Sequence, residues 1–189
     1  MRVTHLLGPS SLEATFTLRD LTTATGAKPR SLQLWADAGV IRPKRGTNHA
    51  GTGTHRVFSR SEAIIGCIVN AFAQHQIAVG ELLNISGRVR AALSPTSEGG
   101  ESGSNKRAAV IEAAINGDGS WLLVYESWKE EGKGDEDMHY SVTAVQADKH
   151  GRMSVPAHLA HPDGFAVVIC LARYLYGLDQ FATKNRLPP

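Results

Sequence analysis

Apolar residues recur at helical spacing through the first half of the chain and at mixed spacing through the second. Leu18 and Leu21 stand three apart and predict a short helix over 17–24. Thr17 caps it, Asp20 completes a capping-box arrangement three residues on, and Thr25-Gly26 stops it. Pro29 suits the first turn of a second helix, 28–38. There Leu32 and Trp35 point inward, Arg30, Ser31 and Gln33 lie on other faces, and Asp37-Ala38-Gly39 ends the element. Helix, tight glycine turn and helix is the helix-turn-helix plan. Val40-Ile41 and Val57-Phe58 are short β-type pairs flanking a Gly/Thr/Asn/His tip, and they predict a two-stranded wing. Ser59 and Glu62 open a third helix with Ile64, Ile65, Ile68, Val69 and Phe72 on the helical period. A fourth, 78–93, buries Leu82, Ile85, Val89 and Leu93 and leaves Arg88 and Arg90 off that face.

The pattern then breaks. Residues 94–105, SPTSEGGESGSN, hold no large apolar side chain and read as a flexible linker. Val110, Ile111 and Ile115 mark a short helix over 106–116, ended by Gly117-Asp118-Gly119. Trp121 to Trp128 is rich in β-formers, Glu130 to Asp137 is a charged turn, and Tyr140, Val142 and Ala144 alternate, which predicts a hairpin. Phe165 to Leu171 is either a buried third strand or the start of a helix ending near Phe181; periodicity leaves both open. The expected fold class is α+β. A winged helix-turn-helix with four helices and a two-stranded wing, 15–93, is followed by the linker and by a small domain, 106–189, with a short helix and an antiparallel sheet. Residues 1–14 read as a loose leader.

Composition adds a charge asymmetry. Hydrophobic residues make up 42% of the chain, enough for an ordinary core. Residues 1–92 carry 11 Lys and Arg against 5 Asp and Glu, a net of +6, and residues 93–189 carry 9 against 13, a net of −4. A basic half joined to an acidic half suggests a polyanion-binding module joined to something else. Cys67 and Cys170 each sit in an apolar run and read as buried thiols, not a disulfide framework. The N-terminus lacks the apolar core of a secretory signal, and the longest apolar run, Phe165 to Ala172, is too short to span a bilayer as a helix. A soluble, cytoplasmic, nucleoid-associated protein with no membrane partner is expected.

Candidate chemistry concentrates in 17–56. Lys28, Arg30, Ser31 and Gln33 stand at the start of the second helix, where a recognition helix presents side chains to base edges in the major groove. Gln bonds adenine N6/N7 and Arg bonds guanine O6/N7. Arg42, Lys44, Arg45, His55 and Arg56 suit the phosphate backbone, and Thr17 and Arg19 join the set of DNA-binding candidates. Elsewhere the signals are weak. Gly51-Thr52-Gly53 lacks the Lys-Ser/Thr of a phosphate loop. His158 and His161 have no second ligand pair and read as a surface loop, so no metal is expected. Asp135-Glu136-Asp137 reads as a solvated turn, and no nucleophile–base constellation is present. Neither an enzyme nor a cofactor is expected.

Three blocks occur in order: Phe16-Thr17-Leu18 with Gly26-Ala27-Lys28-Pro29-Arg30-Ser31-Leu32-Gln33-Leu34-Trp35; Gly39-Val40-Ile41-Arg42-Pro43; and Thr54-His55-Arg56-Val57-Phe58-Ser59. In this, 16–93 resembles the DNA-binding domain of the MerR family of transcriptional regulators. Lys28, Gln33 and His55 stand where the family usually has Ser, Arg and Tyr. The resemblance implies duplex DNA and RNA polymerase as partners, a small-molecule effector, and a homodimer. In the family the fourth helix leads into a long pairing coiled coil; here 94–105 interrupts it. Trp35 either joins the core or reaches a phosphate through its indole N–H, as the family's aromatic does.

A sequence-specific, double-stranded DNA-binding transcriptional regulator is the first expectation, with helix 28–38 in the major groove and wing 42–58 on the backbone. The second is an excisionase-like architectural factor that bends DNA for site-specific recombination. The third, an enzyme targeted by its N-terminal half, finds no recognisable site in 106–189.

Overall fold

Thr17 opens the first helix with a reciprocal cap. The computed structural model describes residues 14–47, 56–93, 109–129, 138–148, 150 and 165–182, without the side chains of 92, 128–129, 138–140 and 165. The leader through residue 13, the wing tip with His55, the linker 94–105, the turn at 130–137, and His158 and His161 lie outside the described residues. Helix α1, Leu18–Thr25, begins where the Asp20 backbone N–H donates to Thr17 Oγ1 at 3.2 Å and the Thr17 N–H donates back to Asp20 Oδ2 at 2.7 Å. Such a cap is worth about 1 kcal/mol. Gly26 ends α1 at φ 70°, a left-handed conformation that glycine adopts without a Cβ penalty.

Three hydrogen bonds pin the turn that follows. Thr25 Oγ1 donates to Leu21 O (2.7 Å) and accepts from Ala27 N (3.0 Å), while the buried Asn70 side chain donates to Thr25 O (2.7 Å). Helix α2, Pro29–Asp37, carries Pro at its first turn and buries Leu32 and Trp35. Just past it, Gly39 at φ 76° reverses the chain, and the N–H groups of Val40 and Ile41 both donate to Trp35 O.

That reversal changes the wing. Strand β1, Thr15–Thr17, pairs antiparallel with β2, Val57–Ser59, so that Phe16 faces Phe58 and both side chains are fully buried. The expected partner of 57–58 was Val40-Ile41. Those two residues spend their N–H groups on the end of α2 and their side chains on the core, so they form no strand. The basic segment after them is tied back by Lys44 N to Val57 O (2.7 Å) and by Thr47 Oγ1 to Lys44 O (2.7 Å).

Helix α3, Arg60–Ala73, is the centre of the molecule. Ser59 caps it, and every residue from Glu62 to Phe72 is buried. Helix α4, Val79–Leu93, packs on it through Leu82, Ile85 and Val89. Beyond, α5 (109–115) precedes β3, Trp121–Lys129, and β4, Met138–Gln146; β5, Phe165–Cys170, follows. They form an antiparallel sheet in the order β4-β3-β5. The segment that periodicity left open is both strand and helix: β5 runs without a break into α6, Leu171–Leu175, and a 3-10 turn covers Leu178–Phe181.

The described residues are thus mixed helix and sheet, with one antiparallel sheet of two strands and one of three. A single hydrophobic cluster runs from Phe16 and Leu32 through Ile65, Ile68 and Phe72 to Val110, Leu123, Tyr125, Leu171 and Leu178. Phe72 meets Tyr125 edge-on with ring centroids 5.8 Å apart, and the Tyr125 hydroxyl hydrogen-bonds Glu81 of α4. At the surface Arg60 bridges Glu112 of α5 (2.5 Å) and Asp179 of the 3-10 turn (2.7 Å). No helix among the described residues is long and apolar enough to cross a membrane.

Candidate nucleic-acid interface

Helix α2 has two unlike faces. Leu32 and Trp35 point into the core, while Arg30, Gln33, Leu34 and Asp37, spaced three and four apart, are exposed along the outside. Nine residues make this helix about 13 Å long, a compact rod held on one side only. Lys28 stands exposed at its N-terminus without a side-chain capping bond, and Ser31 is half-buried.

The chain reverses after α2 and exposes Arg42, Lys44 and Arg45 in succession. A buried charge pair fixes where this segment starts. Glu62 of α3 accepts from Arg42 N (2.8 Å) and from the Arg90 guanidinium of α4 (2.7 and 3.0 Å), and Arg90 also donates to Val40 O (3.0 Å). Both side chains are mostly buried, at 20% and 11% exposure, so the pair holds the backbone of 40–42 in a low-dielectric setting. Glu62 was expected as a capping-box residue; Ser59 does cap the helix, but the Glu62 carboxylate serves this tertiary contact.

Among the candidates, Arg19, Lys28, Arg30, Gln33, Arg42, Lys44 and Arg45 are all exposed. The six cations in that group form no ion pair among the described residues. Arg56, Arg60 and Arg90 are spent inside the chain. Arg60 is held protonated well above its ordinary range, first by its hydrogen bond to Asp179, with burial opposing and Glu112 adding to it.

Three candidates make contacts inside the fold. Thr17 commits its hydroxyl to Asp20 as the α1 cap. Trp35 is a core residue, 4% exposed. Arg56 donates to Asp37 Oδ1 at 2.6 Å, joining the start of β2 to the last turn of α2. That pairing neutralises the one carboxylate on the outer face of α2, which would otherwise repel a polyanion. Leu34 is the residue that reading for charge passed over. It is 52% exposed between Arg30 and Asp37, and its signal was its helical position opposite Trp35's side. An apolar side chain in that place suits the methyl group of thymine.

Burial pushes the Cys67 thiol up to about 12, which makes it an inert core group. No cluster of three or more potential metal ligands occurs among the described residues. A scan against protein-family models finds no match to this chain, and a search of curated proteins finds none either.

Proposed function

We propose that the chain is a sequence-specific double-stranded DNA-binding regulator of transcription, built as a winged helix-turn-helix that presents α2 to the major groove. The observation that carries this reading is the clustering of six exposed cations on α1, at the start of α2 and on the segment after it, none in an ion pair among the described residues. Unpaired cations on a rigid scaffold suit phosphates, whose neutralisation releases counterions. Arg30, Gln33 and Leu34 supply a guanine donor, an adenine pair and a thymine methyl contact on one helix face. Arg42, Lys44 and Arg45 flank that helix and take the backbone, which sets its register. The pairing of two copies on two half-sites, and contact with RNA polymerase, belong to the same proposal.

Selection of duplexes from a random-sequence pool tests it. Wild type should enrich one short motif. Arg30→Ala should relax the preference at one base pair and cost about 1–3 kcal/mol there. Enrichment of no motif, or the same motif at equal strength with Arg30→Ala, contradicts the reading.

A further inference from the structure

A cavity of about 250 Å³ lies between α4 and the three-stranded sheet. Its walls are mostly apolar and come from both halves of the chain: Ile68 of α3, Val89 of α4, Val110 of α5, and Leu123 and Val142 of the sheet. Among the described lining residues none is acidic, and Arg88 of α4 carries a charge. Arg88 is exposed and has no ion-pair partner among the described residues. A largely apolar hollow, partly open to solvent and with an exposed guanidinium at its wall, is complementary to an amphiphile with one negative end. An apolar cavity of 150 Å³ takes benzene, so this one holds about ten non-hydrogen atoms.

We propose that this cavity binds a small apolar monocarboxylate, a medium-chain fatty acid or an aromatic acid of similar size, with the carboxylate on Arg88 and the hydrocarbon against Val89, Leu123 and Val142. Two of the elements that line the site, α3 and α4, also hold the candidate DNA interface. Two residues after Arg88, the same helix supplies Arg90, which fixes Glu62 and the Val40 carbonyl at the start of the basic segment. Regulation of DNA binding through α4 therefore rests on the reading above; ligand binding does not, and the two can fail separately.

Calorimetric titration of the full chain with octanoate, without DNA, tests the site. Octanoate should bind one per chain. Each methylene added between butanoate and octanoate should tighten binding by about threefold, and a fourteen-carbon acid should gain nothing further. Arg88→Gln should weaken octanoate by about fivefold and leave octan-1-ol unchanged. Ala91→Trp, a substitution at an exposed lining position, should abolish binding of both. The proposal is overturned if octanoate does not bind, if octylammonium binds as tightly, if Arg88→Gln leaves octanoate affinity unchanged, or if Ala91→Trp leaves it intact.

Discussion

The two halves of this molecule share one core helix and treat charge in opposite ways. The N-terminal region, 14–93, keeps six cations exposed on α1, at α2 and just after it, with no ion pair among the described residues. In the C-terminal region, Glu112 and Asp179 are directed at Arg60, the first residue of α3. Both regions bury their apolar faces on α3, which is buried from Glu62 to Phe72. Arg60 at the seam is neutralised by the neighbouring region; the cations on α2 or just after it have no such neighbour among the described residues. Charge left unpaired on a well-fixed scaffold is costly to neither region alone, because water screens it, and it stays available for an external polyanion.

If one core serves both regions, the largest effect comes from its centre. Phe72→Ala removes the ring that meets Tyr125 and should cost about 4 kcal/mol. Thermal unfolding followed by the fluorescence of tryptophan-substituted chains retaining only Trp35 or only Trp121 should show one midpoint, lowered equally in both. Two separated midpoints, with only one moved, would break the shared-core account.

Next in size is the pair that positions the basic segment. Glu62→Ala leaves Arg90 buried without its partner and frees Arg42 N, and should cost about 3 kcal/mol by denaturant unfolding. Hydrogen exchange at Val40–Arg42 should rise with it. Arg60→Met should cost only about 1 kcal/mol, since both its acidic partners are about half exposed. An equal loss from the two substitutions would remove the distinction between a structural pair and a surface seam.

A further effect is confined to alkaline pH. Cys67 is an acid whose folded pKa, about 12, lies above its ordinary value of 9.0. The unfolded chain loses this proton first, so the contribution is complete below pH 9 and is lost as pH rises from 9 towards 12. Stability of wild type should fall with a slope up to about 1.4 kcal/mol per pH unit steeper than that of Cys67→Ala in this window. Parallel curves would place Cys67 outside the core.

Local signals were legible in the sequence because their physics is local. The caps at Thr17 and Ser59, the left-handed glycines 26 and 39, and Pro29 at the start of α2 all stand where residue chemistry put them. Long-range pairings were not. Strand β1 is three residues long, too short for an alternation signal, and its partner lies some forty residues on. Arg56 reads as one more basic wing residue until folding brings Asp37 to within 2.6 Å. Glu62 reads as a cap because its sequence spacing fits one, while its carboxylate is claimed by Arg90 from 28 residues away. The joint at Cys170-Leu171 was ambiguous because an apolar run fits a strand and a buried helix equally.

The most direct test of the DNA-binding account is the salt dependence of duplex binding, read by fluorescence anisotropy between 50 and 200 mM salt on a labelled duplex. Wild type should bind with a log–log slope of roughly −4 to −5, about 0.9 per phosphate neutralised. The triple variant Arg42→Ala, Lys44→Ala, Arg45→Ala should lose roughly 3 from the magnitude of that slope while unfolding at the wild-type temperature. A wild-type affinity indifferent to salt, or a slope unchanged in the triple variant, contradicts the account.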